Sequence, residues 1–188
     1  MLTANGLMLA ILLMPASITD YAITMFEDTR DERYMLHRRL RLDNVRIWDT
    51  NANNWRLPLG SEVINTPKVS VLHFWAHYCQ PCLREFPLFA AMSKTMSSNS
   101  VQFVFISETQ GDKEMRDFVT KNKALMPDAP WWQDIDGKIM QTLHYKKLPV
   151  TLIVDSKYIV RDAYVGTIES RRNQLVESIE NLERATTD

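Results

Sequence analysis

The chain carries the stretch Phe74-Trp75-Ala76-His77-Tyr78-Cys79-Gln80-Pro81-Cys82, which holds its only two cysteines. An apolar, β-branched run leads into this stretch from Val69, and an amphipathic helical pattern follows it. The order strand, Cys-x-x-Cys, helix puts a cysteine at a helix N-terminus, where the positive end of the helix dipole favours the thiolate over the thiol. Since the thiolate is the form that attacks a disulfide, the pattern predicts a reactive dithiol.

Two cysteines are too few for a disulfide scaffold, and a bond between them closes a loop too small to add much stability. We therefore expect the two cysteines to serve a chemical reaction rather than to stabilise the fold. The alternative is a metal-binding site in which His77 joins the two cysteines in an H-x-C-x-x-C pattern. Structural zinc usually takes four such ligands, and the sequence has no second Cys-x-x-Cys. We therefore expect no metal site.

The composition is typical of a soluble globular protein, with 45% hydrophobic and 24% charged residues. The formal net charge of -1 gives no bulk attraction to nucleic acid, so we expect no nucleic-acid partner. Basic side chains cluster at Arg38-Arg39-Leu40-Arg41, but acidic residues lie nearby in the sequence. This cluster is interpreted as a solvated helix face.

The length of 188 residues suits one domain with an N-terminal extension. We place the extension at residues 1–43 and the domain at residues 44–188. Residues 7–14 form an apolar block that resembles the h-region of a secretory signal, although residues 1–6 contain no Lys or Arg. Two interpretations stay open: a signal or membrane tether, or a helix that packs on the domain. No run reaches the roughly 18 apolar residues that span a bilayer.

Hydrophobic periodicity and turn residues predict the elements of the domain. A helix-compatible lead-in covers residues 20–42, and a β-hairpin covers residues 45–59. Further strands are predicted at 69–75, 101–106, 150–154 and 158–165, with helices after Cys82, from an N-cap at Asp112, at 138–144 and from a cap at Ser170. The segment 127–132 is predicted to be irregular.

A helix links strands 69–75 and 101–106, so they should run parallel. A short turn links strands 150–154 and 158–165, so they should form an antiparallel hairpin. The predicted fold class is therefore α/β, with a mixed central sheet flanked by helices.

Taken together, these motifs resemble the thioredoxin superfamily, and within it the TlpA/ResA-like thiol-disulfide oxidoreductases. The resemblance covers Val45 to Glu183 and is carried by the FWAxxCxPC block, Glu85-Phe86-Pro87, Leu148-Pro149 and Gly166. It implies a thioredoxin-like fold with an N-terminal β-hairpin and a helical extension. Glu85 stands three positions after Cys82, as is usual in the TlpA/ResA-like branch.

His73 stands where thioredoxins proper usually carry an acidic residue, which favours the TlpA/ResA-like branch. Three positions depart from the family pattern: Tyr78 replaces a tryptophan, His144 replaces a glycine, and Leu148 replaces a Thr, Val or Ile. These positions bear on the substrate and the redox potential rather than on the fold.

We expect Cys79 to be the nucleophile and Cys82, one turn into the helix, to resolve the mixed disulfide. Glu85 is a candidate general acid or base for Cys82 if burial raises its pKa. The alternative is a surface carboxylate that pairs with Arg84 or Lys94.

His73 is the second candidate for proton transfer. It lies in a strand expected to be buried close beneath the dithiol, where a neutral imidazole would relay the proton that Cys82 loses. The alternative is a core histidine whose ring is satisfied by a backbone carbonyl.

The resemblance implies that Pro149 is a cis-proline facing the dithiol, which holds the backbone of Leu148 open for pairing with a substrate peptide. A trans proline at the first residue of a strand is the alternative. The other residues expected at the substrate-binding surface are Trp75, Tyr78, Gln80 and Pro81. Trp131 and Trp132 are interpreted either as a hydrophobic lid or as a core cluster.

The predicted function is thiol-disulfide exchange with protein substrates. We favour the reducing direction, because Gln80-Pro81 keeps a proline beside the second cysteine and in this resembles the reductant-type members of the superfamily. No cofactor beyond the cysteine pair is expected, since the sequence has no Gly-rich nucleotide loop, so an external redox partner protein must re-reduce the pair. The resemblance implies an extracytoplasmic protein, periplasmic or membrane-tethered, that reduces apocytochrome c or other exported proteins. A cytoplasmic location is the alternative.

Three other functions remain open. The first is a disulfide-forming oxidase on the same fold, and the second is a peroxidase-like enzyme. The third is a non-catalytic module whose cysteines sense redox state or bind a metal.

Overall fold

The computed structural model describes residues 32–59, 67–96 and 100–185. The expected signal or tether, and the first part of the expected helical lead-in, lie outside these residues. Within the described ranges no helix is both long enough and apolar enough to cross a bilayer.

The described residues form seven strands and four helices. The strands are β1 (Val45–Asp49), β2 (Asn54–Arg56), β3 (Val69–Trp75), β4 (Val101–Ser107), β5 (Trp131–Asp134), β6 (Val150–Asp155) and β7 (Val160–Val165). The helices are α1 (Gln80–Met96), α2 (Asp112–Asn122), α3 (Lys138–Leu143) and α4 (Arg172–Ala185), with 3-10 turns at Lys123–Leu125, Ile135–Gly137 and Glu169–Arg171.

The strands form one mixed sheet in the order β2-β1-β5-β4-β3-β6-β7. β3 runs parallel to β4, which in turn runs parallel to β5. β6 runs antiparallel to β3 and β7, and β1 runs antiparallel to β2 and β5. The predicted α/β fold, with its N-terminal hairpin and its parallel pair joined by a helix, is confirmed.

Both faces of the sheet are covered, which is why every residue of β3 is buried. Side chains alternate along the strand, so Val71 and Trp75 point to one face and Leu72 and Phe74 to the other. The first face packs against α1, α2 and α4. The second packs against α3 and the chain around residues 35–42.

The segment predicted to be irregular ends in strand β5. Trp131–Asp134 pairs with β4 on one side and with β1 on the other, so it joins the N-terminal hairpin to the rest of the sheet. All four of its residues are buried, including the polar Gln133 and Asp134. The strand therefore shows no alternation of polar and apolar residues, which is why the prediction was wrong for residues 131–132. Residues 127–130 lie outside helices and strands, as predicted.

The predicted helix caps were also wrong. Asp112 is the first residue of α2 rather than its cap, and its carboxylate accepts a hydrogen bond of 2.8 Å from Arg46 on β1. Ser170 lies inside the 3-10 turn Glu169–Arg171, and α4 begins only after that turn.

The helical lead-in is shorter than predicted in the part that the structure describes. Residues 32–35 form a helical turn that ends near His37, whose φ is 63°. Beyond it the backbone bonds to the β6–β7 hairpin, with His37 N–H donating to the Val160 carbonyl and Leu40 N–H to the Tyr158 carbonyl, both at 2.8 Å. Long-range backbone pairing thus replaces the local helical bonds.

Candidate active site

Cys79 and Cys82 form a disulfide at the start of α1, with their Cα atoms 5.3 Å apart. Cys79 directly precedes the first helical residue, and its Sγ accepts a hydrogen bond of 3.3 Å from the backbone N–H of Cys82. A sulfur in this position meets both the free N–H groups and the positive end of the helix dipole. Cys79 is 7% exposed and Cys82 is fully buried. A partner molecule can therefore reach the first sulfur more readily than the second.

The surface beside Cys79 is formed by the residues on either side of it. Tyr78 is 66% exposed, Gln80 is exposed and Pro81 is partly buried. His77 is fixed to the end of β4, since its backbone N–H donates to Thr109 Oγ1 at 3.0 Å and its ring Nδ1 lies 3.1 Å from the same oxygen. The structure thus brings three of the predicted substrate-binding residues to the surface next to the dithiol.

The loop that precedes β6 lies at the same edge of the sheet. Phe74 on β3 pairs with Val150 on β6, so Pro149 comes level with the end of β3, just before the dithiol. The peptide bond between Leu148 and Pro149 is cis. Leu148 is partly buried and packs against the apolar cluster that contains Cys79. The sheet register therefore places this loop and the cysteine pair side by side.

Glu85 is fully buried on α1, one turn after Cys82. Its Oε1 accepts a hydrogen bond of 2.5 Å from the backbone N–H of Ile168, and its Oε2 has no partner among the described residues. Burial raises the pKa of Glu85 from 4.5 to about 7, and the Ile168 bond opposes that rise. The alternative interpretation, a surface carboxylate paired with Arg84 or Lys94, was wrong because the loop after β7 covers this side chain.

His73 is 1% exposed and lies against aromatic rings, with its centroid 4.2 Å from that of Phe89. Phe89 follows Cys82 by seven helical residues, a rise of about 10 Å along the helix. The imidazole thus lies deeper than the dithiol. Its Nδ1 is 3.1 Å from Thr151 Oγ1 rather than bonded to a backbone carbonyl, and its Nε2 has no partner among the described atoms. Burial lowers the pKa of His73 from 6.5 to about 3, so the ring is neutral.

The predicted tryptophans are core residues. Trp75 has no exposed surface, so it supports the wall of the site from inside and offers no contact to a docked substrate. Its ring packs edge-on to that of Trp131, at 5.2 Å between centroids. Trp131 and Trp132 are 5% and 2% exposed, which confirms the core interpretation over the lid.

A buried acidic group beside the site escaped the sequence analysis. Glu108 directly follows β4, its Oε1 accepts a hydrogen bond of 3.0 Å from Tyr145, and its Oε2 has no partner among the described residues. Burial and the nearby carboxylate of Asp134 raise the pKa of Glu108 from 4.5 to about 8. Burial also raises the pKa of Asp134, although that carboxylate accepts the backbone N–H groups of Ile139 and Met140. The only sequence signal was an acid directly after the strand that neighbours β3.

The part of the chain that the structure describes holds no candidate metal site. Among residues 32–59, 67–96 and 100–185, no three His, Cys, Asp or Glu side chains converge as a metal site would require. The chemistry that this arrangement supports is that of a cysteine pair at a helix N-terminus, with a buried carboxyl group one turn away.

Comparisons with known proteins agree with this geometry. A family model described as thioredoxin-like matches residues 66–160. The sporulation thiol-disulfide oxidoreductase A of Bacillus subtilis (strain 168) is 25% identical over 111 residues, which cover 57% of this chain and 66% of that protein. The thiol-disulfide oxidoreductase ResA of the same organism is 26% identical over 97 residues, which cover 52% of each chain.

A solved structure gives the same result for the fold. The crystal structure of StoA from Bacillus subtilis is similar to this chain with a TM-score of 0.51 and 26% identity, covering 62% of this chain and 85% of that one. The chain spans less than two thirds of the length of each curated relative described above.

Proposed function

The chain belongs to the thioredoxin-like family, and from this premise we propose that it exchanges disulfides with protein substrates through Cys79 and Cys82. One observation carries the proposal. The two cysteines are bonded to each other at the N-terminus of α1, with the first 7% exposed and the second fully buried. The relatives whose names describe thiol-disulfide oxidoreductases support the same chemistry.

The exchange begins with the reduced pair. The Cys79 thiolate attacks one sulfur of a substrate disulfide, so that a mixed disulfide forms and the other substrate sulfur leaves as a thiolate. The Cys82 thiolate then attacks Cys79 Sγ and releases the second substrate thiolate. Two electrons have passed to the substrate, and the Cys79–Cys82 disulfide has formed.

Glu85 is the group that we assign to the proton of Cys82. It lies one turn from this cysteine, it is buried, and one of its oxygens has no hydrogen bond in the described structure. A carboxyl group with a pKa of about 7 exchanges protons readily at neutral pH, so it can accept the thiol proton as Cys82 attacks. His73 packs against Phe89, two turns of α1 beyond Cys82, so we assign this role to Glu85 instead.

We infer the reducing direction from Gln80-Pro81, and an extracytoplasmic site of action from the apolar block at residues 7–14. The substrates are then exported proteins with disulfides, and a separate redox protein re-reduces the Cys79–Cys82 pair. The Leu148–Pro149 loop would align the substrate backbone beside Cys79, since it lies at the same sheet edge.

Insulin reduction tests the activity. With dithiothreitol as the electron donor, the full chain should precipitate insulin chains faster than dithiothreitol alone, and Cys79→Ser should be no faster than that blank. A wild-type chain that equals the blank would overturn the proposal and favour the redox-sensing module. A peroxide-consumption assay separates the peroxidase-like alternative.

A redox titration against glutathione tests the direction. Potentials in this superfamily run from about −270 mV for thioredoxin to about −120 mV for DsbA. A value near the thioredoxin end supports a reductant. A value near the DsbA end would mean that the chain forms disulfides in its substrates.

A further inference from the structure

The short segment that joins β7 to α4 holds two parts of the candidate site. The backbone N–H of Gly166 donates to the carbonyl of Pro149 at 2.9 Å. The backbone N–H of Ile168, two residues later, donates to Oε1 of Glu85. The loop beside the dithiol and the buried carboxylate are therefore held by the same few residues.

This segment is in turn held by one ion pair. Arg171 donates from Nη2 to the carbonyl of Val165 at 2.7 Å, and its Nη1 donates to Oε1 of Glu32 at 2.5 Å. The same Glu32 oxygen accepts the backbone N–H of Val165 at 2.8 Å. Both polar groups of the Val165 backbone are thus bound by the pair, at the last residue before the segment begins.

The position of the pair explains why two side chains are needed there. β7 is the last strand of the sheet among the described residues, so the outward backbone groups of Val165 have no neighbouring strand to bond there. Glu32 and Arg171 satisfy them instead. Their side chains are only 15% and 26% exposed, so solvent screens the pair less than it would a surface salt bridge.

Arg171 also shapes the segment from its other end. Its backbone N–H donates to the carbonyl of Ile168 at 2.9 Å, which closes the 3-10 turn after the segment. Its guanidinium carbon lies 5.1 Å from the centre of the Tyr164 ring. The side chain is therefore fixed by contacts on both sides of the segment that it spans.

We propose that Glu32 and Arg171 are positioning residues that fix the segment between Val165 and Ile168, and through it the hydrogen bonds to Glu85 and Pro149. The proposal rests on the proposed function, because it assigns these residues to the same site. It makes Glu32, from the chain that precedes the sheet, a determinant of how the dithiol exchanges its protons.

The proton affinity of Glu85 is the direct readout. Burial and the charge of Glu169 raise its pKa, whereas the Ile168 bond and the charges of Arg171 and Arg84 lower it. Loss of the ion pair loosens the segment and so weakens the hydrogen bond from Ile168 to Glu85. Loss of Arg171 also removes a positive charge. Arg84 still lowers the pKa in both variants, but the Ile168 bond is weakened in both and the Arg171 charge is lost in Arg171→Gln, so the pKa of Glu85 should move above about 7.

The experiment compares the full chain with Glu32→Gln and Arg171→Gln, all in the oxidised state. The 13C shift of the Glu85 carboxyl carbon reports the pH at which this group is half-protonated. That midpoint should rise by about half a pH unit or more in both variants, which is about a threefold or larger gain in proton affinity. Arg171→Lys keeps the charge but cannot form both hydrogen bonds of the guanidinium, to Glu32 and to the Val165 carbonyl. It should therefore shift the midpoint less than Arg171→Gln.

Glu180→Gln and Arg184→Gln are matched controls, since they remove an exposed pair on α4. They should leave the midpoint unchanged. An unchanged midpoint in both Glu32→Gln and Arg171→Gln would overturn the proposal. If one variant fails to fold, as circular dichroism would report, the other decides the outcome. If both fail, Arg171→Lys decides it: a midpoint above that of the wild type supports the proposal, and an unchanged midpoint overturns it. Insulin reduction by the wild type is measured separately, so a failure of the proposed function is distinguished from a failure of this one.

Discussion

The backbone N–H of Ile168 donates to one oxygen of Glu85 and leaves the other oxygen without a partner among the described residues. The carboxyl group is thereby anchored in the core while one oxygen remains open to a proton. In the proposed exchange this group, one helical turn from Cys82, takes up the thiol proton on that open oxygen.

Glu85→Gln should remove this exchange. The amide keeps the shape of the side chain and accepts the same bond from Ile168, but it does not take a proton near neutral pH. We expect the release of substrate from the mixed disulfide to slow by about 100-fold, the lower range for general acid–base catalysis. Stopped-flow measurement between pH 5 and 9 should also show that the inflection near pH 7 is lost.

The control for this prediction is Glu180→Gln, an exposed change on α4 that should leave the rate and its pH dependence as in the wild type. A Glu85→Gln chain that keeps the inflection near pH 7 would assign that proton to another group.

His73 should make the fold less stable in acid. Its pKa is about 3 in the folded chain and 6.5 when exposed, so below pH 6.5 the unfolded chain binds a proton that the folded chain does not. The free energy of unfolding should therefore fall as the pH drops from 6.5 to 3, by up to about 1.4 kcal/mol per pH unit from this group. His73→Phe should lack this part of the slope.

Urea denaturation at pH 4, 5, 6 and 7 measures that slope. The comparison uses the difference between the two chains at each pH, because His73→Phe also removes the hydrogen bond to Thr151 and lowers stability at every pH. A difference that stays constant with pH would show that the imidazole binds protons equally in the folded and unfolded chains.

Glu108 should make the fold less stable as the pH rises, which is opposite to the effect of His73. Its pKa is about 8 in the folded chain and 4.5 when exposed, so between these values the folded chain keeps a proton that the unfolded chain has lost. Stability contributed by this group is therefore full below pH 4.5 and falls as the pH rises to 8. Glu108→Gln still accepts the hydrogen bond from Tyr145. The free energy of unfolding of this variant, minus that of the wild type, should therefore be larger at pH 8 than at pH 5.

The measurement is again the free energy of unfolding from urea titrations, at pH 5 and at pH 8. Asp136→Asn is the matched control, since this exposed acid lies near Glu108 and should leave the difference between the two pH values unchanged. Equal effects of Glu108→Gln at both pH values would mean that Glu108 is ionised in the folded chain throughout this range.

The elements that the sequence predicted correctly are those whose pattern is local. The strand before the dithiol, the helix after it and the hairpin at residues 45–59 each show their pattern within a few neighbouring residues. β5 has no such pattern, because its two polar residues, Gln133 and Asp134, are buried by contacts with other strands and loops. Elements buried on all sides carry no signal of which side faces water.

The proton-handling groups depend on contacts between distant parts of the chain. Whether Glu85 is buried is decided by Ile168, 83 residues away, and the ion pair of Arg171 reaches back 139 residues to Glu32. The sequence placed Glu85 near the dithiol through a family resemblance, but it left open whether the carboxylate faced solvent. Glu108 was missed because an acid after a strand is usually exposed.

Trapping the mixed disulfide tests the central proposal most directly. Cys82→Ser removes the residue that releases the substrate, so the reduced variant should stay covalently bound to a disulfide-containing protein. Peptide mass spectrometry should find that bond on Cys79, and Cys79→Ser should give much less adduct. An adduct that forms equally well on Cys82 in Cys79→Ser, or no adduct in either variant, would contradict an exchange that begins at Cys79.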